Sequence, residues 1–255
     1  MKVLLLFYIF FCCTTVSAKK DLMALSALDK ARIIYQNNRG FKTEVSEIEL
    51  LIIDEGGETV RRSVSQRVLE TKEGARSVFE FIKPVLLKGT KLLTHSLNSR
   101  DNEQWLWLPS AKSVRRIIGG QRQNSFMGSE FSFEDLSEEH FTKFTYKDGG
   151  QKKIDGLAVF ILEKTPIANQ SAYSKQIVTY DTSKLVALRI EYYNRRRELI
   201  KIGTTKEIRK IGKWWRPWRI EMENVKNRRK SIMIIKNQIF GAELDGSEFS
   251  PQRIR

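Results

Sequence analysis

After Gly40 the chain returns again and again to a two-residue hydrophobic period, and that period restricts it to a β architecture. Phe79 and Phe81 alternate with Val78, Glu80 and Ile82, and Trp105 and Trp107 alternate with Gln104, Leu106 and Leu108. Between Leu185 and Asn194, Val186, Leu188, Ile190 and Tyr192 oppose Ala187, Arg189, Glu191 and Tyr193. Such strands keep one face dry and one wet. Turn signals at Gly56-Gly57, Asp148-Gly149-Gly150, Asp181-Thr182-Ser183 and Asn227 fall between alternating runs, as in antiparallel hairpins. The spacing predicts roughly eleven to thirteen strands in one large, strongly curved antiparallel sheet. A single long helix is predicted over Ser26–Asn38. It opens on Ser-x-x-Asp, places Leu25, Leu28, Ala31 and Tyr35 at helical spacing, and stops at Gly40.

The first residues read differently. Lys2, an apolar run from Val3 to Cys13 and the small residues Val16-Ser17-Ala18 form a secretory leader, 1–18, with an A-x-A-like cleavage site. Phe10 and Phe11 precede Cys12 and Cys13 where a lipobox needs a small residue, which argues against lipidation. Both cysteines belong to the leader, so the exported chain, 19–255, has no disulfide to hold it and needs a packed core. No linker or repeat divides it, which predicts one domain.

Lys and Arg number 45 against 30 Asp and Glu. The excess suggests a polyanionic partner; export argues against nucleic acid and leaves an anionic membrane surface. Most of the charge is spread along strand faces, as at Arg61, Arg62, Arg67, Lys72 and Arg76, where solvation and edge protection explain it. The dense clusters Arg195-Arg196-Arg197 and Arg228-Arg229-Lys230 sit beside asparagines in expected hairpin turns.

Catalytic patterns are poor. His95 and His140 are far apart on expected strands, and with no mature cysteine neither a zinc site nor a Cys/His pair assembles. There is no Gly-x-Ser-x-Gly elbow, and Gly119-Gly120 to Gly128 lacks the ending of a phosphate loop. Glu134, Asp135, Glu138 and Glu139, following Ser132, suit the first turn of a short helix better than acid–base work. The reading is a non-enzyme without metal or cofactor.

One stretch breaks the alternation, "RRIIGGQRQNSFMGSEFSFEDL", Arg115 to Leu136. It is too irregular for a strand and carries Phe126, Met127, Phe131 and Phe133. With one helix to cover it, a curved sheet leaves concave surface to be filled. These side chains, together with Trp105, Trp107, Trp214 and Trp218, either fill it as ordinary core or line a cavity that a hydrophobic guest completes.

Four blocks carry a resemblance: "FIKPVLLKGTKLL" (Phe81 to Leu93), "DNEQWLWLPSAKSVRRI" (Asp101 to Ile117), "SFMGSEFSFEDL" (Ser125 to Leu136) and the closing "FSPQRIR" (Phe249 to Arg255). In this order they resemble the LolA-like outer membrane lipoprotein-sorting proteins of Gram-negative bacteria. Glu130 stands where that family often has aspartate. The resemblance implies a mainly β fold with a few helices (α+β): a single unclosed antiparallel β-barrel, a half-barrel of about eleven strands, with helices and loops as a lid over an apolar cavity. It implies a periplasmic carrier of lipid or lipoprotein acyl chains, with an inner-membrane transporter of the resistance-nodulation-division type as a possible partner and transient contact with an anionic membrane surface. Phe79, Phe81, Leu92, Trp105, Trp107, Phe126, Met127, Phe131, Phe133, Trp214 and Trp218 would then line the cavity, Gly119, Gly120 and Gly128 would hinge a mobile lid, and Arg115, Arg116 and Arg122 would lie near it. A periplasmic adaptor or sensor that partners such a transporter without bound lipid is the alternative.

Overall fold

The computed structural model describes residues 22–255, so the expected leader lies outside the described residues. Helix α1 (Ala27–Asn37) is capped as its sequence indicates: Ser26 Oγ accepts a hydrogen bond from the Asp29 amide at 3.1 Å. Its buried face differs from the expected stripe. Lys30, Ala31 and Ile34 turn inward, while Leu28 is 42% exposed. The Lys30 ammonium, fully buried, is neutralised by a salt bridge to Asp148.

Six strands follow: β1 (Thr43–Ile53), β2 (Thr59–Thr71), β3 (Gly74–Lys83), β4 (Lys91–Leu97), β5 (Glu103–Leu108) and β6 (Ser113–Ile117). After an irregular crossing come β7 (Phe144–Ile154), β8 (Leu157–Pro166), β9 (Tyr173–Asp181) and β10 (Ala187–Asn194). The last three are β11 (Leu199–Ile211), β12 (Trp214–Asn224) and β13 (Lys230–Phe240). All thirteen form one antiparallel sheet in the order β6-β5-β4-β3-β2-β1-β13-β12-β11-β10-β9-β8-β7, the upper end of the eleven to thirteen strands that the spacing predicts. Strands β6 and β7 are the two edges and do not pair, so the barrel is unclosed. Every other pair of successive strands is joined as neighbours; only the 118–143 segment must travel from one edge to the other, and it does so across the concave face.

Three expectations are corrected here. Asp148-Gly149-Gly150 is a bulge inside β7, not a turn: the register with β8 shifts between Asp148 and Gln151. Glycine is required there because a Cβ on Gly149 would fall 2.7 Å from Ile161 Cγ2. Arg62 does not lie on a solvated face but turns inward, its guanidinium 5.9 Å from the Phe81 ring centre. His140 precedes a 3-10 turn, Phe141–Lys143, and is not on a strand.

The two ends of the sheet are plugged differently on their concave side. Over β7–β9, α1 packs on Phe160 and Leu162, with Tyr146 and Tyr180 alongside. Over β2–β5, the crossing segment does the same on Phe79, Phe81, Leu92 and Leu106. This second half is buried on its convex side too. The C-terminal segment lays Phe249 and Ile254 on Val78 and Leu93, with Trp105 and Trp107 packed around them. His95 Nε2 lies 2.8 Å from the Phe249 carbonyl, and Arg67 pairs with Glu248 at 2.8 Å. Trp105 and Trp107 do share a face, but it is the one away from the concavity; Gln104, Leu106 and Leu108 point inward. Where both faces are dry, alternation no longer says which face is which.

Candidate functional site

The crossing segment turns out of β6 through a 3-10 turn at Gly119–Gln123 and then doubles back on itself. Ser125 and Ser132 form an isolated bridge, and the Phe126 amide donates to the Phe131 carbonyl at 2.7 Å. Met127 (φ 52°) and Gly128 (φ 80°) make the tip, a left-handed pair that glycine eases at its second position. Of the other expected hinges, Gly119 has a positive φ (49°) and Gly120 does not. The doubled-back loop drives Phe126 into the concavity, where it is 0% exposed and packs on the Phe79, Phe81 and Phe133 rings at 5.6 to 6.2 Å between centres.

Irregular backbone crossing an apolar surface needs partners for its polar groups. The sheet provides them through side chains. Arg62 of β2 donates to the Met127 carbonyl, Arg229 to the Gly128 carbonyl at 3.1 Å, and Gln104 of β5 to the Phe133 carbonyl at 2.8 Å. Ser231 Oγ accepts from the Glu130 amide at 2.9 Å, and the Glu130 carboxylate meets Arg229 at 3.3 Å. Deepest is Asp135, which accepts from Tyr173 Oη at 2.8 Å and forms a salt bridge with Lys201, the carboxylate 4% and the ammonium side chain 10% exposed. Burial, seconded by the charge of Asp135, pushes the Tyr173 phenol well above its ordinary pKa. Burial likewise raises the Glu134 and Glu138 carboxyls, against hydrogen bonds to Ser171 and Ala172 in the first and the Arg39 guanidinium in the second.

Between the loop-plugged and helix-plugged ends a cavity of about 430 Å³ remains over the middle of the sheet, within the range of small-molecule sites. Ile48, Ile220, Met222, Met233 and Ile235 line it from β1, β12 and β13; Phe131 and Leu136 close it from the crossing segment. Gly203 of β11 lies under Tyr192, and a Cβ there would stand 3.4 Å from the tyrosine ring. Glu44, Ser46, Gln66, Arg216 and Gln238 make a polar end.

Of the residues singled out from sequence, Phe79 and Phe131 face this cavity. Phe81, Leu92, Phe126 and Phe133 are in the same core cluster, with Met127 and Trp218 packed against it. Trp214 stands apart between Phe41 and Phe240 and donates Nε1 to the Arg39 carbonyl at 2.9 Å. Trp105 and Trp107 lie on the convex side. The cavity's own floor escaped the sequence reading: Met233 and Ile235 belong to the run "SIMII", in which inward and outward positions are both apolar, whereas Ile48, Ile220 and Met222 alternate with charged residues and carried a readable period-two signal.

Among the described residues no helix is long and apolar enough to cross a membrane, and no three His, Cys, Asp or Glu side chains are grouped to hold a metal ion. A family model described as "-like: Uncharacterized protein" matches residues 73–255. No curated protein matches the chain. Among solved structures, one described as an outer membrane lipoprotein-sorting protein domain from Vibrio parahaemolyticus is 28% identical, with 89% of this chain and 97% of that one covered at a TM-score of 0.86. A DUF1329 family protein from Desulfovibrio piger is 26% identical, with 90% and 98% covered at 0.85. A LolA superfamily protein from Nitrosomonas europaea, 18% identical with 89% and 98% covered at 0.71, shares the fold.

Proposed function

The chain belongs to the LolA-like family of outer membrane lipoprotein-sorting proteins, and from that premise we propose that it is a non-enzymatic carrier that takes a lipid or lipoprotein acyl chain into its concave cavity and escorts it through the periplasm, to which the 1–18 leader would direct it. The observation that carries this reading is the largely apolar space of about 430 Å³ left open between the two plugs on the concave face. Each methylene gains about 0.8 kcal/mol on leaving water, so an acyl chain of about sixteen carbons needs a dry host worth about 13 kcal/mol to cross the periplasm. The Phe126 loop serves as the lid: it occupies the concavity when cargo is absent and competes with it, which allows release.

Membrane contact is proposed for the β3–β4 connection. Val85 and Leu86 are each 88% exposed on a 3-10 turn whose last residue, Leu87, folds back onto the core. Lys83 and Lys88 flank the pair. An aliphatic tip between cations fits an anionic bilayer surface.

Purified from the periplasm and extracted with organic solvent, the protein should release a stoichiometric lipid detectable by mass spectrometry. A clean blank from every preparation removes the carrier reading and leaves the adaptor of a membrane transporter. Phe126→Asp together with Met127→Asp should abolish cargo retention while the far-ultraviolet circular dichroism stays unchanged.

A further inference from the structure

Along β1 the concave face changes character within one strand. Ile48 sits in an apolar row, paired with Val64 of β2 and Ile235 of β13. The next inward position, Ser46, sits in a polar row, paired with Gln66 and Gln238. Glu44 follows, 8% exposed. A curved sheet that only needed to hold a hydrocarbon would continue the apolar row to its end, since a buried polar group without a partner costs about 1–3 kcal/mol.

The hydrogen bonds of this row are incomplete in one direction. Glu44 Oε1 accepts from Ser46 Oγ at 2.7 Å and from Gln238 Nε2 at 2.8 Å, while Oε2 has no partner among the described residues. Gln238 Oε1 is buried and unpaired. Gln66 makes no side-chain hydrogen bond among the described residues, though it faces the cavity. The cationic groups at the same end direct their hydrogen bonds elsewhere, while Arg216, which also lines the cavity, keeps an electrostatic attraction to Glu44. Arg216 donates to Asn38 Oδ1 and to the Asn38 carbonyl at 2.9 and 2.8 Å, and Arg189 donates Nε to Glu191 at 3.2 Å. Glu138 is held by Arg39 at 2.9 Å. What stays open toward the cavity is the Gln238 carbonyl and the second Glu44 oxygen, both acceptors, beside the whole Gln66 amide, which can accept and donate.

We propose that Glu44, Gln66 and Gln238 form a headgroup subsite for an amphiphile whose head is uncharged and donates hydrogen bonds through hydroxyl or amide N–H groups, its acyl chain running over Ile48, Met233 and Ile235. This rests on the carrier reading and sharpens it. A fatty acid or a phosphate-headed lipid would bring anionic oxygen against Glu44, where like charges in a low-dielectric pocket repel.

Titration calorimetry of the delipidated full chain at pH 8 with monooleoylglycerol and with oleate, each below its aggregation limit, tests the assignment. The glyceride should bind at least about tenfold more tightly than oleate. Glu44→Gln keeps the shape and removes the charge, and should bring the two within about threefold by improving oleate. Gln66→Leu, at a position without a hydrogen bond in the fold, should weaken the glyceride about threefold and leave oleate unchanged, with circular dichroism confirming the folded state of both variants. Oleate binding as tightly as the glyceride to the unmodified protein, or a ratio untouched by Glu44→Gln, overturns the subsite while the carrier reading stands. Failure of both probes to bind overturns the two together.

Discussion

The two plugs on the concave face do the same job by opposite means. Helix α1 satisfies its own backbone and contributes side chains to an apolar contact with Phe160 and Leu162. The crossing segment, with no regular structure beyond short 3-10 turns, borrows its backbone partners from the sheet: Arg62, Gln104, Arg229 and Ser231 each hold one of its peptide groups. A helix leaves its seat as a unit, because its hydrogen bonds are internal and its packing is shared. A loop pinned by side chains can exchange most of its pins for water, so lifting it costs mainly the buried Asp135–Lys201 pair and the burial of Phe126 and its neighbours. That asymmetry makes the loop, and not the helix, the part suited to give way to a guest.

The sharpest way to break the comparison is to remove the pin that water cannot replace. Lys201→Met leaves the Asp135 carboxylate buried without its cation and should cost about 3–5 kcal/mol, read as a lower urea midpoint with an unchanged slope. A loss under about 1 kcal/mol would mean that the loop does not depend on its deepest ion pair. Phe126→Ala should cost about 3 kcal/mol, and its effect on hydrogen exchange should concentrate in 119–136 and spare α1. Equal deprotection of both plugs would show that they open together.

How far the sequence foretold this arrangement depends on which physical signal each part leaves. Period two reports strands directly, and glycines and asparagines report most hairpins, so the unclosed antiparallel sheet and the exceptional 115–136 stretch were legible. The thirteen strands fall at the upper end of the eleven to thirteen that the spacing predicts. Asp148-Gly149-Gly150 imitates a turn although its glycines serve a bulge, where Gly149 lets Ile161 approach. The faces were less legible. Trp105 and Trp107 were assigned to the concavity because a Trp pair at alternate positions marks a dry face, yet β5 is dry on both faces and the C-terminal Phe249 and Ile254 claim them. Lys30 shows the same limit in the helix: its burial depends on Asp148, a partner brought in by the bulge and invisible at helical spacing. The polar row Gln66, Ser46 and Gln238 exists only as a cross-strand register, which no single segment contains.

A smaller test addresses the helix-plugged half. Ser26→Ala removes the acceptor for the Asp29 amide and should lower stability by about 1 kcal/mol in thermal unfolding. If the first turn frays alone, exchange protection will fall over 27–30 while the Phe126 loop keeps its own.

The smallest expected effect concerns the convex cover of the loop-plugged half. His95 of β4 is half-buried beneath the C-terminal segment, and burial lowers its pKa below the ordinary 6.5, with Arg76 and Arg100 adding to the shift against the Phe249 carbonyl and Glu103. A histidine whose pKa is depressed in the fold favours folding in its neutral form. Its contribution is therefore complete above about pH 6.5 and drains away as pH falls through the lower native value. Between pH 7.5 and 5.5 the loss should stay under about 1 kcal/mol, since the ring keeps some contact with water. His95→Gln should flatten that part of the stability profile. The acid loosening should appear as increased proteolysis near 246–255, where the segment rests on His95 and Trp105, while α1 on the far half stays protected. A profile that keeps its slope in the variant would place the acid sensitivity elsewhere and separate the convex cover from the behaviour of the loop beneath it.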